Sequence, residues 1–233
     1  MLFYYIRHGD PIYDPDSLTE LGQQQAQALK KRLAGYGLDR IYASSSVRAI
    51  QTATPTAEVL NKPIETVDFA HEQYAWRDFS IDGTWLFHSA RARRLFASPE
   101  VLALGHRWYE HEAFRDYGYE KGVLRIAEES DRLFASWGYR HIPGTGTYEV
   151  AQPSEERIAL FAHQGFGLAF LSHLLNIPYP VYSLHFDLCH TGMTVIHFRE
   201  ENGYAYPRVL THSSDAHLYA EPLRTPYNGE IIF

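Results

Sequence analysis

The chain has 233 residues, of which 45% are hydrophobic and 21% charged, and its formal net charge is -7. That length suits one large domain or one domain with a substantial insertion, and the negative balance argues against bulk binding to a nucleic-acid backbone. A small anion is not excluded, because clustered arginines reverse the field inside a cleft.

The single cysteine, Cys189, permits no internal disulfide, which fits a reducing compartment. The apolar N-terminus runs straight into Arg7-His8, too short for a signal segment. No apolar run approaches the ~20 residues that a membrane span needs. The expectation is a soluble cytoplasmic protein with neither membrane nor nucleic acid as partner.

Leu2–Ile6 is unbroken and apolar, as in a strand buried on both faces. A loop with Pro11, Pro15 and three aspartates follows. Thr19 N-caps a predicted helix to about Ala34, ended by Gly35 and Gly37. Arg40–Ala43 reads as a second strand, and Ser44-Ser45-Ser46 supplies cap oxygens to a helix reaching Leu60, with Pro55 inside it. Ile64–Phe69 reads as a third strand. Strands alternating with helices predict right-handed crossovers and a parallel sheet.

The rhythm breaks over residues 73–154, read as helices and loops inserted over one end of the sheet. Ser98-Pro99-Glu100 starts a helix, and Val123 to Trp137 carries helical periodicity before Gly138. Strand signals return at Arg157–Ala162, followed by a helix from about Gly165 to Leu175, with Pro178 and Pro180 as a stop. Two last strands, near Thr194–Phe198 and Tyr204–Leu210, join through Glu201-Asn202-Gly203. The tail beyond Pro222 reads as irregular. The predicted fold is a three-layer α/β/α sandwich: a mainly parallel sheet, an antiparallel edge strand and a helical insertion over the active site, within a single domain 1–233.

Ligands of an open parallel sheet bind beyond the carboxyl ends of its strands. Arg7-His8-Gly9, Arg48, Glu72 and His163 all fall at such ends. Arg7 and Arg48 can clamp a phosphate dianion with fork geometry, and Gly9, Gln164 and the backbone amides after His163 add to a phosphate cradle. The two guanidinium groups disfavour a charged His8, leaving a neutral nucleophile. Its other ring nitrogen needs an acceptor, expected near Gly9. His163 is placed to stabilise transition-state charge. Glu72 is the expected proton donor to the leaving oxygen and later the base for water, with Asp78 and Asp82 as the other carboxylates in reach.

His106/His111 and His185/His190 are five apart, which is not the helical spacing of a metal site, so neither metal nor cofactor is expected. Arg91, Arg93 and Arg94 read either as a solvated face or as a contact for a second anionic group.

Together Arg7-His8-Gly9, Leu18-Thr19-Glu20-Leu21-Gly22, Ser44 to Ala53, Phe161-Ala162-His163-Gln164-Gly165 and Asp215-Ala216-His217-Leu218 resemble the histidine phosphatase superfamily, also called the phosphoglycerate mutase-like family. The resemblance implies phosphorylation of His8, a phosphate pocket completed by Arg7, Arg48 and His163, and a small phosphorylated metabolite as substrate. Pro11, and Asp68 to Arg77 in place of a glycine- and acid-rich donor stretch, depart from the mutase branch and favour a phosphatase. A mutase-type phosphotransferase and a non-catalytic phosphate-binding protein are the alternatives.

Overall fold

The computed structural model describes residues 1–225 and 227; most of the tail beyond Pro222, expected to be irregular, lies outside the described residues. The chain begins with β1 (Leu2–Arg7), β2 (Pro11–Tyr13), β3 (Asp16–Leu18), α1 (Glu20–Tyr36), β4 (Arg40–Ser44), α2 (Val47–Leu60) and β5 (Ile64–Val67). It continues through α3 (Glu72–Phe79), β6 (Ser80–Ile81), β7 (Thr84–Trp85), α4 (Ala90–Phe96), α5 (Pro99–Leu104) and α6 (Tyr119–Ser136). Then come β8 (Tyr139–His141), β9 (Tyr148–Val150), β10 (Arg157–Ala162), α7 (Gln164–Leu174) and α8 (Tyr179–His185). The last elements are β11 (Met193–His197), β12 (Glu200–Glu201), β13 (Tyr204–Ala205), β14 (Arg208–Ser214) and α9 (Ala216–Ala220).

The main sheet has the order β14-β11-β1-β10-β4-β5. β1, β10, β4 and β5 are parallel, and β11 is antiparallel to both of its neighbours. The expected antiparallel strand therefore lies one place in from the edge, and β14 runs back along it. This reversal positions the site, because the beginning of β11, not its end, lies beside the carboxyl ends of the parallel strands.

β1 alternates its side chains between two apolar layers. Phe3 and Tyr5 face Phe134, Phe166 and Phe170 of α6 and α7, while Tyr4 and Ile6 face Leu29, Leu33 and Ala53 of α1 and α2. Phe3 is fully buried, with ring centroids 5.3 Å from Phe134 and 5.9 Å from Phe170; burying such a side chain contributes roughly 1.5–3 kcal/mol. No described helix is long and apolar enough to cross a membrane.

Several local expectations change. The loop with Pro11 and Pro15 is a β2–β3 hairpin. Within 73–154 the chain forms strands as well as helices: β6 pairs with β7, and β8 and β9 join β12 and β13 in a second sheet. The α3–β7 stretch lies over the site, whereas α6 packs against the Phe3 face. The strand expected over Tyr204–Leu210 is split: Asn202 and Gly203, with φ of 55° and 84°, turn β12 into β13, and β14 begins after Pro207. Pro178 and Pro180 open α8 rather than end a helix, since proline lacks only a donor that the first turn leaves unpaired.

Candidate active site

Two glycines seat the loop after β1. A Cβ on Gly9 would stand 2.7 Å from Gly22 O, and one on Gly22 would stand 2.2 Å from Asp10 O. The loop thus lies backbone to backbone on the first turn of α1. Thr19 Oγ1 caps that turn by accepting from Gly22 N at 3.0 Å and donates to Asp10 Oδ2 at 2.7 Å.

His8, so placed, is 2% exposed. Its Nδ1 lies 2.7 Å from Gly9 O. A carbonyl only accepts, so Nδ1 carries the proton and the lone pair is on Nε2. Gly9 N donates to Thr52 Oγ1 at 3.0 Å. Gly9 thus orients His8 and is not on the cavity wall, contrary to its expected contact with phosphate.

Arg7 is 1% exposed, with Nη1 donating to Leu188 O at 2.6 Å and Nη2 to His190 Nε2 at 2.7 Å. Arg48 Nη1 donates to Asp16 Oδ1 at 2.6 Å, and Arg48 Nη2 to His163 Nδ1 at 3.1 Å. Tyr13 lies under this guanidinium, 5.4 Å from its ring centroid.

Both ring nitrogens of His163 are engaged: Nδ1 accepts from Arg48, and Nε2 donates to Ser44 Oγ at 2.8 Å. Its ring centroid is 5.1 Å from that of His8, but it sits behind the cavity wall. In this state the ring supports Arg48 and does not point a donor at the cavity, which differs from its expected direct role. The expected amides also serve another group: Glu72 Oε1 and Oε2 accept from Gly165 N at 2.9 Å and Phe166 N at 3.0 Å. The first turn of α7 is capped by a carboxylate rather than left open.

Glu72 lines the cavity. Asp78 is held by Arg125 at 2.8 Å, and Asp82 is exposed on a turn; neither is on the wall. Gln164 lines the cavity and gives its Nε2 to Asp187. Arg91, Arg93 and Arg94 are exposed and away from it.

The cavity encloses about 520 Å³ and is lined by Arg7, His8, Arg48 and Glu72 together with Trp76, Trp85 and His88. Burial holds the His8 imidazolium pKa well below its usual range, reinforced by His163, Arg7 and Arg48. Burial acts likewise on His163, with Arg48 next. Burial raises the Glu72 pKa against the opposing effect of its two amide partners. A neutral imidazole, two guanidinium groups and a buried carboxyl whose pKa is raised are thereby brought to one sheet edge.

Sequence reasoning missed His190, Asp16 and Tyr13. Trp76 and Trp85 belong to the Tyr and Trp residues between Tyr74 and Tyr148, which read mainly as core with some lining a pocket for an organic leaving group, and both line the cavity. His190 lies ahead of the antiparallel β11 and reaches the site because that strand starts there; its ring centroid is 5.7 Å from that of His8. Nothing in its spacing marks it. Asp16, three residues before Thr19, is held by the amide of Val47 as well as by Arg48.

Residues 3–76 match the model of the histidine phosphatase superfamily (branch 1). No curated protein matches the chain. Among solved structures, phosphoserine phosphatase from Entamoeba histolytica in complex with 3-phosphoglyceric acid is similar at 19% identity and a TM-score of 0.60, over 93% of this chain and 98% of that one. A mycobacterial glucosyl-3-phosphoglycerate phosphatase in complex with VO3 is similar at 18% identity and 0.59, over 91% and 99%. A putative alpha-ribazole-5'-P phosphatase from Escherichia coli is similar at 18% identity and 0.58, over 92% and 98%. The fold is shared with these phosphatases over nearly the whole chain.

Proposed function

We propose that the protein hydrolyses a small phosphomonoester through a phosphohistidine on His8, without a catalytic metal. The observation that carries this reading is the hydrogen bond from His8 Nδ1 to Gly9 O at 2.7 Å, which leaves the Nε2 lone pair for phosphorus. The likeness to the histidine phosphatase superfamily supports the reading.

Arg7 and Arg48 neutralise the phosphate oxygens. His8 Nε2 attacks phosphorus, the bond from phosphorus to the ester oxygen breaks, and Glu72 gives that oxygen its proton. Water then enters, Glu72 takes one of its protons, and the water oxygen attacks phosphorus. The P–N bond breaks, its electron pair returns to Nε2, and phosphate leaves. Each proton transfer contributes about 10²–10⁴-fold. His163 and His190 act as positioning residues for Arg48 and Arg7.

The leaving group meets Tyr13, Trp76 and Trp85. Among the described residues lining the cavity, Arg7 and Arg48 are the only arginines, and no lysine joins them. The substrate class this favours has one anionic group, the phosphate, on an uncharged aromatic or apolar body. A compartment with reducing conditions fits a chain with one cysteine, and we assign the protein to the cytoplasm on that ground.

The test is hydrolysis of p-nitrophenyl phosphate with excess chelator, comparing wild type with His8→Ala. Turnover that persists with chelator and disappears in the variant is expected. Loss of wild-type turnover on chelation would instead require a catalytic metal.

A further inference from the structure

Asp131, His141 and His173 come together at the far end of α7 from the phosphate pocket. With an 11-residue helix between, the separation is about 15 Å. Asp131 belongs to α6, His141 to β8 and His173 to α7, and their ligand atoms all lie within 4.8 Å of one another. Asp131 Oδ1 is 3.1 Å from His141 Nδ1 and 2.7 Å from His173 Nε2.

The protons of this cluster do not balance in the neutral state. His141 Nε2 lies 2.6 Å from Thr145 O, which can only accept, so Nε2 carries the ring's one proton. Nδ1 then presents a lone pair to the Asp131 carboxylate, and the two acceptors face each other in a side chain only 5% exposed. A cation between them resolves the conflict. The anchoring of the distal nitrogen by a backbone carbonyl is also how a metal-bound imidazole is held in its tautomer.

We infer that Asp131, His141 and His173 form a binding site for a divalent first-row transition metal such as zinc, separate from the site of hydrolysis. The ligands would be His141 Nδ1, His173 Nε2 and an Asp131 oxygen, a nitrogen-rich set suited to zinc and poorly suited to magnesium or calcium. Zinc bonds to such atoms are about 2.0–2.2 Å, so small rotations of side chains already in contact close the triad. Water would complete the shell on the half-exposed side. The ion would tie α6, β8 and α7 together, and its role would be structural.

The experiment uses the full chain, freed of any histidine tag and of metal, dialysed against one equivalent of zinc chloride per chain. Retained zinc and the thermal midpoint are measured for wild type, His173→Ala and the near-isosteric Asp131→Asn, with folding checked by circular dichroism. One retained zinc per chain, a raised midpoint in wild type and at least about tenfold weaker zinc binding in both variants are expected. No retained zinc in folded wild type overturns the inference and leaves a proton on His141 as the cation. Equal retention by wild type and both folded variants also overturns it, placing zinc on other imidazoles. Cobalt substitution gives a second reading, since visible d–d bands lost in Asp131→Asn locate the ion without reference to stability. Their persistence in that variant counts against the site.

Discussion

The carboxylate of Glu72 caps the helix that begins beside His163, accepting from Gly165 N at 2.9 Å. The same group is the proposed proton donor, and the two roles belong to different states. Two amides and the helix N-terminus favour the carboxylate, whereas burial favours the acid and prevails. A phosphate dianion entering next to Glu72 adds a like charge and pushes its pKa further upward. Glu72→Gln retains an oxygen for one amide but has no proton to give. Measured as kcat/KM, which reports cleavage of the ester bond and not the later attack of water, turnover of alkyl phosphates should fall about 10²–10⁴-fold, and that of p-nitrophenyl phosphate by less than about tenfold, because nitrophenolate leaves without a proton. Equal loss of kcat/KM on both substrates would move the donor role elsewhere.

Neither arginine of the proposed clamp depends on His8. Arg7 is fixed by Leu188 O and His190, and Arg48 by Asp16 and His163. His8→Ala should therefore lose turnover by about 10⁴-fold or more yet bind inorganic phosphate within about threefold of wild type. Calorimetric titration with phosphate checks this. Loss of phosphate binding in a folded variant would show that the imidazole itself organises the clamp.

Acid should destabilise the fold through its neutral buried histidines. His217 is 4% exposed, with Nε2 2.9 Å from Thr191 Oγ1 and Nδ1 without a hydrogen-bond partner among the described residues. Burial, with Arg32 next, lowers its pKa to about 4. Unfolded, it titrates near 6.5, so between about 4 and 6.5 the unfolded chain binds more protons than the folded one. Its stabilising contribution is complete above that window and is lost as the pH falls through it, at up to about 1.4 kcal/mol per pH unit. His8 and His163 act in the same direction. Urea midpoints should drop between pH 7 and pH 5, and less steeply in His217→Gln. Equal slopes would assign the acid sensitivity to other groups.

The sequence made legible whatever short-range rules control. The apolar runs of β1 and β10, the caps Thr19 and Ser46, and the glycines that permit close approach each carry a local signal. Because parallel strands end at one edge, Arg7, His8, Arg48 and Glu72 could be placed together without coordinates. His190 could not, since its arrival depends on β11 running against its neighbours. The α8 prolines misled because proline both ends helices and begins them. The use of the α7 amides by Glu72 was hidden for a different reason: an acid 93 residues away competes for them, and local sequence holds no trace of it.

Gly165 leaves room for the indole of Trp85: a Cβ there would stand 2.4 Å from its Cη2. Alanine is a better helix former than glycine by up to about 1 kcal/mol, so Gly165→Ala should leave α7 intact and move the ring instead. Trp85 cannot shift alone, for it packs edge-on to Trp76 at 4.9 Å and stacks on Phe87 at 5.3 Å. The aromatic wall should move as a unit. KM for an aryl phosphate is expected to rise about tenfold, while affinity for inorganic phosphate should stay within about twofold, since the proposed clamp for that anion is Arg7 and Arg48 and not the indole. In a Trp85→Ala background the added methyl meets empty space, so Gly165→Ala should then cost nothing further in KM. If the alanine costs the same in both backgrounds, the disturbance runs through the Gly165 amide to Glu72 rather than through the indole. Leaving-group dependence separates the two, because a disturbed donor slows alkyl phosphates selectively and a shifted wall does not.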